Sequence, residues 1–225
     1  MATPLEQLRF TEAQYLEFER NADERHEFID GHVFSMAGES GRHGDICTNL
    51  LISLGSQLKG SPCRARSKDT KVRSGAGRFS AQGFTGLYSY PDIVIICGEP
   101  KYPDKHRDVI TNPKVIIEVL SDTTEKFDRT EKFLRYRMWN ESLTDYILVA
   151  QDQRLIEHFH RRKKSEWVYT TWQEADQTIS IKSIKCALPI ADVYDRITFA
   201  STKPKSAKKK KAAKKAKKNA AKSRK

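Results

Sequence analysis

Two carboxylates occupy positions that the surrounding chain disfavours. Residues 114–120 read KVIIEVL, a continuous aliphatic run that holds Glu118 and is bounded by Asn112 and Pro113 before it and Ser121 and Asp122 after it. Such a run predicts a strand buried on both faces. An ionised carboxylate withdrawn from water there costs on the order of several kcal/mol unless it is paired, protonated or bound to a metal. Asp92 opens a second aliphatic run, YPDIVIIC at 90–97. If the two predicted strands are neighbours, both acids meet at one end of a sheet. Two hard oxygen donors suit Mg2+ or Mn2+, with water and substrate phosphate completing the shell. The ion would neutralise Glu118 and activate a bound water against a phosphodiester. Two plainer readings stand beside this one: a buried Arg or Lys partner for Glu118, and a turn role for Asp92 after Pro91.

Several elements must position these acids. TEAQYLEFERNA from Thr11 predicts a short amphipathic helix capped by Thr11. RHEFIDGHVFSM predicts a hairpin that turns at Asp30 and Gly31. From His43, the helical spacing of Ile46, Leu50, Leu51, Leu54 and Leu58 predicts a core-packed helix, with Gly60 available to end it. Residues 62–73 read as one strand with polar alternation, and 74–89 as an irregular, Gly- and Ser-rich stretch. Beyond the central runs, Asp128 and Glu131 resemble a capping box opening a helix through Phe133, Leu134, Tyr136 and Met138. DYILVA, RLIEHFHR, EWVYTTW and TISIKSI then predict strands, and IADVYDRI a short closing segment. The fold class is α/β or α+β: a mixed central sheet flanked by helices, with an additional N-terminal hairpin and C-terminal strands.

Composition separates a body from a tail. The 225-residue chain carries a formal charge of +12, but residues 201–225 contain 12 Lys and one Arg with no acid, so residues 1–200 sum to −1. One domain is expected over 1–200, followed by a disordered tail that resembles the tails of linker histones. Lys208, Lys209, Lys210, Lys211, Lys214, Lys215, Lys217 and Lys218 would neutralise phosphates and bind DNA without regard to sequence; a solubilising tail or a surface for acidic lipid headgroups is the alternative. Cys47, Cys63, Cys97 and Cys186 are widely spaced and suggest neither a zinc site nor a disulfide framework, which fits a reducing cytoplasm. No apolar leader or membrane-length segment is present, so a soluble cytoplasmic protein without membrane association is expected.

The ordered series ERHEFIDGHVFSMAG, His43, YPDIVIIC, VIIEVLSDTT, FDRTEKFLRY and DYILVAQDQRLIEHFHR resembles the Uma family of restriction-endonuclease-like domains, within the PD-(D/E)XK nuclease superfamily, over most of residues 10–195. The resemblance implies a Mg2+- or Mn2+-dependent endonuclease acting on DNA, with Asp92 and Glu118 as metal ligands. It also implies the pairing of such folds into a homodimer to cut both strands, although no feature identifies a dimer surface. The superfamily usually places a lysine two positions after the strand acid, where this chain has Leu120; the match moves to Lys132 on the following helix, which would orient the attacking water. Glu27 matches an acid in the first hairpin that could complete the metal shell. Asp128 could orient Lys132 or merely cap the helix, Lys126 is a second amine better read as solvated, and His43 could line the site or start its helix. The displaced lysine leaves room for a noncatalytic DNA-binding scaffold on the same fold. His158 and His160 share one strand face, but with no third ligand nearby they are expected to be surface residues. Asp104, His106 and Asp108 are expected to be solvated loop charges.

Overall fold

The computed structural model describes residues 9–36, 38–75 and 86–199; the basic tail lies outside them. Helix α1 (Glu12–Arg20) starts at Thr11, which caps it in a reciprocal capping box with Gln14. Strands β1 (His26–Ile29) and β2 (His32–Ser35) are joined through Asp30 and Gly31, at φ 49° and 91°. Asp and Gly tolerate that left-handed conformation, so the chain reverses there. Helix α2 (Gly41–Gln57) is capped by Ser40 and buries Ile46, Cys47, Leu50 and Leu54.

Residues 62–73, expected as a single strand, form two. Strands β3 (Cys63–Ser67) and β4 (Lys71–Ser74) are separated by a turn in which the Thr70 N–H donates to the Ser67 carbonyl at 3.0 Å, and they enter different sheets. Polar alternation runs through both, which hides the turn. There follow β5 (Leu87–Ser89), β6 (Ile93–Cys97), β7 (Val109–Ile110) and β8 (Val115–Leu120). The next helix is composite: α3 (Glu125–Phe127), a π-helical turn (Asp128–Lys132) and α4 (Phe133–Trp139). Strands β9 (Asp145–Ala150), β10 (Ile156–Arg161), β11 (Trp167–Trp172), β12 (Thr178–Ile181) and β13 (Cys186–Pro189) and helix α5 (Ile190–Val193) complete the described chain.

The larger sheet has the order β11-β10-β9-β8-β6-β3, with β8 and β9 parallel and the other pairs antiparallel. The second sheet runs β2-β1-β5-β4-β7, and β12 pairs with β13. All six residues of β8 and of β9 are buried, as their aliphatic runs require. Alternation sends Ile93, Ile117, Ile147 and Val149 to a face shared with α2, β12 and β13, and Val94, Ile116, Leu120, Tyr146 and Leu148 to a face covered by Phe133 and Tyr136. Burying one such aliphatic side chain stabilises the fold by roughly 1.5–3 kcal/mol, so the neighbours of Glu118 hold it in place at its own electrostatic expense. Tyr15, Phe28, Val33 and Tyr88 form a third cluster between α1 and the second sheet.

Two expectations are corrected by register and packing. Cys63 and Cys97 lie directly opposite each other across β3 and β6 and form a disulfide; a separation of 34 residues gave no sign of it. Asp104 and Asp108 both grip Arg20 of α1, at 2.8 and 2.9 Å, rather than standing free in solvent. Among the described residues, no helix is long and apolar enough to cross a membrane.

Candidate active site

Strands β6 and β8 are antiparallel neighbours with Ile93 opposite Ile117. One step further along that register sets Asp92 across from Glu118, and cross-strand partners project to the same face. Asp92 bends back so that its Oδ2 accepts the Val119 N–H at 2.7 Å. The same oxygen lies 3.3 Å from His43 Nε2 on α2. Both contacts fall on Oδ2. The turn reading of Asp92 therefore captures only its anchoring bond.

Glu118 is 4% exposed. Its Oε1 lies 3.0 Å from Lys132 Nζ, yet the approach is too poorly aligned to make a hydrogen bond. Lys132 Nζ is also 3.2 Å from Asp128 Oδ1 and 3.4 Å from Glu27 Oε1. The partner demanded by the buried carboxylate is thus the helix lysine itself. Burial pushes the Glu118 carboxyl well above the usual range, with Asp128 and Asp92 adding to the effect and Lys132 opposing it. Burial disfavours the charged Lys132 amine, but Glu118, Glu27 and Asp128 outweigh it and hold the amine protonated. Burial likewise works against a charged His43, whose bonds to Asp92 and Cys47 prevail and push its pKa up to about 11.

Each residue reaches the site by a different route. Glu27 comes from β1 in the second sheet and accepts the Tyr90 N–H at 3.2 Å. Asp128, expected at a helix cap, lies inside the composite helix, 3% exposed, with its carbonyl accepting from the Tyr146 hydroxyl at 2.9 Å. The capping-box pattern misled because the helix opens at Glu125, three residues earlier. Lys126 is exposed. Tyr136, the first full turn beyond Lys132, shares a 2.5 Å hydrogen bond with Ser89 and fixes α4 against β5.

Glu27, His43, Asp92, Glu118, Asp128 and Lys132 line one cleft of about 710 Å³, which Arg25, Arg42 and Lys68 also line. These three cations were not singled out in the sequence; their only signal is charge beside the first hairpin and α2. They give an anionic ligand a favourable approach to an otherwise acidic floor. The donor set fits a hard divalent cation. Among the described residues, Glu118 Oε1 is a buried oxygen without a directed hydrogen bond, and the contacts of Asp92 all fall on Oδ2, leaving Oδ1 without a partner.

A family model described as "Putative restriction endonuclease", Uma2, matches residues 12–191. The chain belongs to the Uma2 family. Two uncharacterized proteins of Synechocystis sp. (strain ATCC 27184 / PCC 6803 / Kazusa) are each 30% identical to it. One, slr1290, aligns over 83% of this chain and 92% of its own length; the other, sll1609, over 78% and 94%. A crystal structure of a "putative nuclease belonging to DUF820" from Anabaena variabilis ATCC 29413 superposes with a TM-score of 0.63 at 17% identity, covering 84% of this chain and 99% of that one. The fold of this Uma2 protein is restriction-endonuclease-like, and its family is one of nucleases.

Outside the cleft, His158 departs from its expected surface role. It is buried and bonds with His160 to Asp145, a carboxylate on the neighbouring strand β9.

Proposed function

We propose that this Uma2 protein is a metal-dependent endonuclease that hydrolyses DNA phosphodiester bonds. The observation that carries the reading is Lys132: a buried amine from the helix after β8, 3.0 Å from the strand acid, in a chain whose Leu120 offers no amine two positions after that acid. Asp92 and Glu118 would hold Mg2+ or Mn2+, which when bound supplies a polarised water and charge neutralisation at the phosphate. Lys132, kept charged by three carboxylates, orients that water and offsets charge on the phosphoryl oxygens. Glu27 and Asp128 restrain the amine from two sides, and Tyr146 and Tyr136 fix the helix that carries it. Arg25, Arg42 and Lys68 meet the DNA backbone.

Supercoiled plasmid incubated with the purified chain and Mg2+ or Mn2+ should be nicked, and chelation should stop it. Calorimetry with Mn2+ should give an affinity weakened about tenfold or more in Asp92→Asn. Cutting that survives in both Asp92→Ala and Glu118→Ala would remove the assigned roles. Intact DNA binding without any metal affinity would leave the noncatalytic scaffold.

The tail would act as a nonspecific tether. A chain ending at residue 200 should bind DNA more weakly, and its log–log salt slope should flatten by about 0.9 for each phosphate the tail neutralises. Fluorescence anisotropy at several salt concentrations measures this, and an unchanged slope would exclude the tail from the interface.

A further inference from the structure

Among the described residues, two groups of side chains bring three ligating atoms within 4.8 Å of one another. Glu39 and His43 line the cleft, and Cys47 lies behind them on α2 with its Sγ 3.6 Å from His43 Nδ1. Asp145, His158 and His160 lie elsewhere. Asp145 opens β9 and shares a face with Ile147 and Val149, whereas Glu118 pairs with Leu148 on the other face and further toward the carboxyl end. His160 is the direct cross-strand partner of Asp145, and His158 stands one pleat along on the same side of β10.

The convergence is specific at the level of atoms. His158 Nε2 and His160 Nδ1 approach one oxygen, Asp145 Oδ1, at 2.7 and 2.9 Å. The other oxygen, Oδ2, is occupied by the Thr144 hydroxyl at 2.9 Å and by the Ser183 hydroxyl from the turn at Lys182–Ile184. Those two donors fix the carboxylate from behind and leave Oδ1 aimed at the imidazoles, as outer hydrogen bonds orient a metal ligand. An ordinary buried ion pair needs one imidazole. Here two are spent on one oxygen, and the set is two imidazole nitrogens plus one carboxylate oxygen.

We propose that Asp145, His158 and His160 form a site for a zinc-like divalent transition metal at the start of β9, on the sheet face opposite to that of Glu118. Imidazole ligands favour such ions over magnesium, and three protein ligands leave a fourth tetrahedral position. That position opens toward solvent on the His160 side: the His160 side chain is 39% exposed, against 8% for His158 and 0% for Asp145. Without metal, each facing ring nitrogen carries the hydrogen that Oδ1 accepts. On binding, each neutral ring presents its lone pair to the metal and keeps its hydrogen on the other nitrogen, while a charged ring releases one proton to solvent. The ion would tie β9 to β10 and, through Ser183, to the turn after β12.

The test uses the full-length chain with Zn2+ and Co2+. Equilibrium dialysis should show one equivalent of Zn2+ that is retained in Cys47→Ser, which removes a ligand of the group with Glu39 and His43, and weakened at least about tenfold in His160→Gln. Co2+ should give tetrahedral ligand-field bands in the wild-type chain that His160→Gln lacks. Circular dichroism checks that variant's fold. Should it fail to fold, long-range 1H–15N spectra of the wild-type chain decide, since Zn2+ must shift His158 Nε2 and His160 Nδ1. Absence of Zn2+ binding, equal stoichiometry and affinity in wild type and folded His160→Gln, or unmoved resonances of those two nitrogens would each overturn the site.

Discussion

A chain carrying Lys132→Met is expected to lose about 3–5 kcal/mol of unfolding free energy and to cut plasmid about 10²–10³-fold more slowly than the wild-type chain. The stability loss follows from burial. Lys132 and Glu118 are both 4% exposed, and removing the amine leaves Glu118 and Asp128 without the cation that offsets their desolvation. The rate loss follows from position, because Lys132 is the only buried amine among the described residues that touches Glu118. Urea unfolding in the presence of a chelator separates the two effects. A double-mutant cycle with Glu118→Gln should give a coupling energy of about 1–3 kcal/mol, since the neutral amide no longer needs the cation. The pH dependence has a definite sign. A carboxyl held above its unfolded value binds its proton more tightly in the folded chain, so it costs stability as the pH rises above the ordinary value of 4.5. Lys132→Met removes the main opposing charge and raises Glu118 further. Below the folded-state pKa of Glu118 in the wild-type chain both folded chains hold the proton, so the part of the deficit that comes from Glu118 should be smallest there and grow as the pH rises through that raised value. Additive losses in the cycle, or a deficit that grows in acid, would show that the pair is not coupled.

What could be read from the chain alone divides according to locality. Glu118 stood out because its own neighbours, Val115 through Leu120, demand burial and a carboxylate resists it. The Thr11 cap, the Asp30–Gly31 turn and the α2 stripe were legible for the same reason: each is decided within a few residues. Contacts set by register were not. Cys63 meets Cys97 only because β3 and β6 pair, and Asp145 meets His160 only because β9 and β10 pair at that offset. Asp145 did carry a signal, since it opens the aliphatic run DYILVA much as Asp92 opens its own, but nothing local says which strand lies beside it. Arg20 finds Asp104 and Asp108 across more than 80 residues of chain. The bond from His43 to Asp92 likewise required α2 to cross the mouth of β6.

The π-helical turn at Asp128–Lys132 is the feature whose alteration separates positioning from stability. A π turn holds one residue more than an α turn, and such insertions cluster at functional sites. Downstream of it, Phe133 stacks on Tyr146 with ring centroids 4.9 Å apart and Tyr136 is fully buried, so α4 cannot rotate without opening the core. Upstream, the Asp128 carbonyl is held by the Tyr146 hydroxyl. The extra residue lets both anchors be satisfied while Asp128 and Lys132 face Glu118 together. Thr130 sits inside the turn with an exposed side chain, its hydroxyl donating to the Lys126 carbonyl. Deleting Thr130 restores α-helical spacing and keeps Lys132 with α4, but it draws Asp128 out of register and removes one of the two acids that restrain the amine. Unfolding free energy should fall by about 1–3 kcal/mol, because Asp128 leaves its buried contact with Lys132 while Glu118 and Glu27 still hold the amine, while plasmid cutting should fall about 10²-fold, the cost of a displacement near 1 Å in a positioned group. Adding the residue back as Ala at the same position should restore the rate, because the turn needs its length and not the threonine hydroxyl. A deletion variant that folds and cuts at the wild-type rate would show that the turn does not position Lys132.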